Sequence, residues 1–131
     1  MTNINFTIPL APVTKKNSQR ICINRKTGRP FISPSNAFRA YEKLARVFIP
    51  KTEKLGSGLN IRCIFYMPTH RRCDLTNLLE SIDDILVSCG MIDDDNYTVI
   101  AGHDGSRVRY DKNRPRTEIE ISVIGGAEDD R

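Results

Sequence analysis

Ile4 to Leu10 alternates apolar and polar side chains and closes around Pro9, the period-2 pattern of a first strand. Ala11 to Ser18 reads as a loop bearing Pro and Lys. Arg20–Asn24 and Arg29–Ser33 flank Arg25-Lys26-Thr27-Gly28, which predicts a hairpin with Gly at its turn. Ser33-Pro34-Ser35 opens a helix in which Phe38, Tyr41, Leu44, Ala45 and Phe48 keep helical spacing, and Pro50 ends it. After a loop over 51–58, Leu59 to Met67 is strongly strand-like and Pro68 closes it.

The second helix runs from about Leu75 to Cys89. Leu75, Leu78, Leu79, Ile82, Ile85, Leu86 and Cys89 match the 3.6-residue period. Asp74 is placed as its N-cap and Gly90 as its stop. Met91 to Asn96 is a loop, Tyr97–Gly102 and Thr117–Val123 are two more strands, and 102–116 between them is polar and basic. The order strand, hairpin, helix, strand, helix, strand, strand gives an α+β class with a small mixed sheet. One domain over 1–124 and a frayed tail over 125–131 follow from the length and the polar ending.

Composition adds exclusions. The 131 residues are 39% hydrophobic and 27% charged, ordinary globular values that argue against wholesale disorder. No stretch approaches the ~20 apolar residues of a membrane span, and the first five residues have no signal-peptide character, so a cytoplasmic protein is expected. Cys22, Cys63, Cys73 and Cys89 contain no Cys-x-x-Cys pair, which leaves reduced, mostly buried thiols and no zinc ribbon. Phosphate-binding and serine-hydrolase glycine motifs are missing, so no nucleotide cofactor is expected.

Charge changes the picture most. Residues 1–72 carry fourteen Lys and Arg against two Glu, a net +12. Residues 73–97 carry seven acids and no base. Residues 98–131 return to −1. A basic body attracts phosphate, and clustered carboxylates repel unless a cation lies between them. A polyanion with a divalent metal satisfies both.

Three groups of residues carry that chemistry. Asp74 leads the second helix, and Asn77, Glu80 and Asp84 fall within about 60° of one another on its polar face. Asp93-Asp94-Asp95 follows Gly90, which turns the chain back toward the helix. Each acidic group also reads as a solvated face or turn. The third group is basic: Lys15-Lys16-Asn17, Arg25-Lys26 with Arg29, Arg71-Arg72 with His70 as a phosphate contact, and 107–116. His103 carries less weight.

At these residues the chain resembles the RusA family of Holliday-junction resolvases. The match runs through Arg71-Arg72-Cys73-Asp74-Leu75-Thr76-Asn77-Leu78, Asp84, and Gly90-Met91-Ile92-Asp93-Asp94-Asp95. Ile8-Pro9-Leu10, Lys15-Lys16-Asn17-Ser18 and Gly28-Arg29-Pro30-Phe31 support it in the N-terminal half. The resemblance implies a small α+β homodimer that cuts four-way DNA junctions by paired, Mg²⁺-dependent nicks, with Mn²⁺ as an alternative ion. Carried over, Asp74 and Asp95 hold the ion, and Asp94, Glu80 and Asp84 complete or support the site. Thr76 stands where the family has a second Asp, and Glu80 where it has Lys, so Glu80 is expected to replace the missing ligand. The alternatives are a DNA-binding protein without catalysis and a metal-dependent nuclease of flaps. The apolar strand over 61–67 is one candidate for the dimer interface.

Overall fold

The computed structural model describes residues 3–15, 20–33 and 36–124. Lys16 and Asn17 of the expected DNA-binding set, and the tail over 125–131, lie outside them. The elements run β1 (Ile4–Ile8), β2 (Arg20–Ile23), β3 (Pro30–Ser33), α1 (Asn36–Ala45) with a 3₁₀ turn (Arg46–Phe48), β4 (Leu59–Met67), α2 (Leu75–Ser88), β5 (Ile100–Gly102), β6 (Arg107–Tyr110) and β7 (Arg116–Val123). The α+β class and the predicted order hold, with β6 as one strand more.

The main sheet is mixed, in the order β1-β7-β4, with β5 and β6 both on the far edge of β4. The β1–β7 and β7–β4 pairs are antiparallel, while β5 and β6 lie parallel to β4. Register decides what is buried. Ile61 sits opposite Ile121, Cys63 opposite Ile119 and Phe65 opposite Thr117, and on the other side Ile121 and Ile119 meet Ile4 and Phe6. Because the strand period is two, these residues share one face. They form a single core with Phe38, Tyr41 and Ala45 of α1 and Leu78, Ile82, Ile85 and Leu86 of α2. The opposite face carries Asn5, Thr7, Arg62 and Glu120.

β4 is therefore interior, flanked by β7 on one side and β5 and β6 on the other, with Ile61, Cys63, Ile64 and Phe65 almost wholly buried. It is not a surface on which a second chain can pair, which corrects the suggestion that it forms a dimer interface. Other departures have local causes. β1 ends at Ile8 because Pro9 has no N–H for the ladder. α1 buries Phe38, Tyr41 and Ala45, but the tightening to a 3₁₀ turn rotates Phe48 outward, and Leu44 is also exposed. β5 starts only at Ile100, because the Asn96 carbonyl accepts the Val99 and Ile100 N–H groups and its side chain accepts Thr98 N–H. β6 is exposed throughout, so its Arg-Val-Arg-Tyr run shows no core face in the sequence. Of the cysteines only Cys63 is buried; the other three free thiols are half-buried. No helix among the described residues is long and apolar enough to cross a membrane.

Two buried hydroxyls in the core, Tyr41 and Thr117, lack a well-formed hydrogen bond. Burial pushes the Tyr41 phenol up to about 12, while the nearby Thr117 hydroxyl pulls it down and Cys63 adds a smaller push up. The native state thus holds this proton more tightly than the unfolded chain, whose tyrosine titrates near 10. The stability involved is complete below about pH 10 and falls by about 2–3 kcal/mol as pH rises toward 12. Tyr41→Phe should remove that alkaline loss and, near neutral pH, be neutral or stabilising by up to about 1 kcal/mol. Urea unfolding of both proteins at neutral and alkaline pH measures it, and an identical alkaline decline in the variant would refute it.

Candidate functional site

α2 organises the acidic region. Its C-terminal end is a complete Schellman motif: Gly90 N–H donates to the Val87 carbonyl and Met91 N–H to the Leu86 carbonyl, with Gly90 at φ +82°. The reversal sends 91–96 back along the helix, as the glycine predicted. It does not reach the helix start. Asp95 comes near enough to Asp83 to disfavour its ionisation. Asp84, Asp94 and Asp95 open into one cleft of about 370 Å³, together with Lys15 and Glu42.

Asp74 and Glu80 do not line that cleft. Ten residues of helix separate Asp74 from Asp84, about 15 Å along the axis. Asp74 occupies the N-cap position in extended conformation, but its carboxylate does not cap; its Oδ2 accepts the Asn77 side-chain amide at 3.3 Å. Glu80 lies one turn before Asp84 and is exposed. Among the described residues, no three His, Cys, Asp or Glu side chains stand close enough to form a ready metal-ligand set.

The polar face of α2 is less exposed than its sequence implies. Lys15 N–H donates to Ser81 Oγ at 2.9 Å, and Ser81 Oγ donates to the Asn77 carbonyl. The segment before Lys15 thus lies over this face, and Asn77 and Ser81 are buried. Lys15 Nζ stands 3.3 Å from Asp84 Oδ2, an ammonium beside a carboxylate of the cleft. Asp94 is tied into its own turn. Its carboxyl lies below the usual range because it accepts the Asp95 backbone N–H, then the Asn96 amide, with the Asp95 side chain contributing. Asp93 turns away to Lys54 at 2.8 Å.

Sequence reasoning missed the most buried charge among the described residues. Asp83 is 7% exposed, and His103 Nε2 lies 3.0 Å from both of its carboxylate oxygens. Burial pushes the Asp83 carboxyl up; the hydrogen bond and charge of His103 pull it down, and Asp95 and Asp84 push it up again. The interruption between β5 and β6 aims the imidazole. Asp104 N–H donates to Asn60 Oδ1, the Asn60 amide donates back to the Asp104 carbonyl, and Ser106 Oγ accepts Cys63 N–H. A single His in a polar stretch gives no sequence signal for this. The pairing depends on a bulge anchored to β4.

Apart from Lys15, the basic candidates separate into two places. Arg25, Lys26 and Arg29 crown the β2–β3 hairpin, whose turn is held by Asn24 Oδ1 accepting Lys26 and Thr27 N–H. Arg71 and Arg72 line a second pocket with His70, Arg109 and Tyr110, just before Asp74 in the chain. His70 is not a bare phosphate contact there, since its ring stacks on Tyr110.

No protein-family model matches the chain. No curated protein matches it either. Glu80 faces solvent outside the cleft, so Glu80→Ala should leave any metal-dependent activity of the cleft near that of the unaltered chain. A loss as deep as that from an aspartate of the cleft would restore Glu80 as a ligand.

Proposed function

We propose that this protein is a divalent-metal-dependent endonuclease of branched DNA, related to the RusA resolvases and working as a homodimer. The observation that carries the proposal is that Asp84, Asp94 and Asp95 line one cleft beside Lys15, in a chain whose residues 1–72 carry a net +12. The donor chemistry fits Mg²⁺ or Mn²⁺. Carboxylate oxygens are hard ligands, and magnesium is commonly held by one or two of them with water and phosphate completing the shell. One or two of Asp84, Asp94 and Asp95, which do not form a ready three-ligand set, would hold the ion. Asp74 and Glu80 lie outside that cleft. When bound, the ion polarises a phosphoryl oxygen and lowers the pKa of a bound water.

The chain's own residues supply the rest. Lys15, paired with Asp84, would set a positive charge against a DNA phosphate that enters the cleft. Arg71, Arg72 and the hairpin cations Arg25, Lys26 and Arg29 neutralise flanking phosphates, which fits recognition of a junction by shape. Two copies related by a two-fold axis would present two clefts to opposing strands.

Two observations favour a second reading, a junction-binding protein without catalysis. Thr76 stands at the position where the resemblance expects an acid, and Asp74 lies about 15 Å along the helix axis from Asp84 and outside the cleft lining. Cleavage of an end-labelled synthetic four-way junction with Mg²⁺, Mn²⁺ or EDTA tests both. Paired nicks that need metal support the nuclease, and binding without nicks under every metal supports the second reading. Nicking of flaps but not junctions would reassign the substrate.

A further inference from the structure

We infer that the pocket formed by His70, Arg71, Arg72, Arg109 and Tyr110 is a stacking site for an unpaired nucleobase. This rests on the reading of the chain as a branched-DNA protein and names a part of the substrate which that reading leaves open. The rings of His70 and Tyr110 lie parallel, centroids 3.8 Å apart and planes 22° from each other. Both residues are exposed, Tyr110 at 45%. A stacked ring pair at the surface is a ready platform, since every base has a π-face and ring–base stacking does not depend on sequence.

The surroundings favour a nucleotide over an apolar partner. Arg71, Arg72 and Arg109 have no ion-pair partner among the described residues, while nearby Arg116 is taken up by Asp111 and Glu118. Three uncompensated guanidinium groups around two rings suit a base with its flanking phosphates. The platform is also held in place. Met67 pairs with Tyr110 in the β4–β6 ladder, and Asp111 N–H donates to the Met67 carbonyl at 2.9 Å. Arg71 N–H donates to Thr69 Oγ1, which turns the chain at His70. A phosphate contact alone would need neither ring. The platform adjoins the start of α2, and the carboxylate cleft lies toward its other end. At duplex rise that separation is on the order of four to six nucleotides. The site therefore reads an unpaired or displaced base several nucleotides from the point of cleavage.

The test uses the full chain in EDTA with three probes: a duplex with a three-nucleotide bulge carrying 2-aminopurine, the fully paired duplex of the same sequence, and a four-way junction. The bulged probe should bind roughly tenfold tighter than the paired one, and its 2-aminopurine emission should be quenched on binding. Tyr110→Ala should lose both effects while keeping affinity for the paired duplex, and Tyr110→Phe should keep both. His70→Ala, in an exposed turn, gives the same answer should Tyr110→Ala fail to fold. A preference that survives in folded Tyr110→Ala or His70→Ala overturns the inference. Junction binding by the unaltered chain without any preference for the bulge overturns it too, and leaves the proposed function standing. Failure to bind any of the three probes overturns both.

Discussion

Asp95→Asn is expected to lower Mg²⁺-dependent nicking of a four-way junction by on the order of 10²–10³-fold, with junction affinity in EDTA almost unchanged. Asp95 is exposed in the returning loop, so the amide is tolerated by the fold. Its backbone N–H still donates to Asp94 Oδ1 at 2.8 Å, so the turn persists. What the substitution removes is one negative charge and one hard oxygen donor from the cleft. Asp74→Asn in parallel makes the result informative about geometry. The cleft as built assigns Asp74 a smaller effect, whereas the family resemblance assigns it an equal one. Denaturing gels of end-labelled junction with and without Mg²⁺ give the rates. Cleavage retained in Asp95→Asn would remove the carboxylate cleft as the reacting site.

His103→Ala is expected to destabilise the protein by roughly 2–4 kcal/mol, the largest stability effect from any single polar side chain here. The imidazole is the hydrogen-bond partner of a carboxylate whose side chain is 10% exposed. Removing it leaves that charge buried and unpaired, beside Asp84 and Asp95, which already repel it. Asp83→Asn should cost less, because it keeps a polar partner for His103 and discards the charge. Combining the two should recover part of the loss, since no buried charge is then left alone. Thermal and urea unfolding of the three variants provides the comparison. A change below about 0.5 kcal/mol in His103→Ala would mean that water reaches Asp83 and replaces the imidazole.

Much of the fold was legible because its signals are local. The strand-like run over 59–67 and the helical stripe Leu78, Ile82, Ile85 and Leu86 each give their element directly, and Leu59, Ile61, Cys63, Ile64 and Phe65 of the run are buried with the whole stripe. Gly90 marks a helix stop because the left-handed conformation there suits a residue without Cβ. β6 escaped because it exists through its partner. Its backbone completes the β4 edge, and none of its side chains enters the core.

The candidate site divides in the same way. By itself the sequence determined the charge segregation and the reversal after α2, both products of short-range spacing, while the meeting of Asp84 with Asp94 and Asp95 in one cleft came from the structure. Tertiary structure alone decided the rest. Asp74 stays apart from the cleft because a continuous helix cannot shorten its rise. Lys15 meets Asp84 across 69 residues, His103 meets Asp83 across 20, and His70 meets Tyr110 through strand pairing. Spacing along a chain specifies which residues share a face of one element. Which face of another element lies against it is set by the burial of Ile, Leu and Phe in the common core, and the polar partners are placed wherever that packing leaves them.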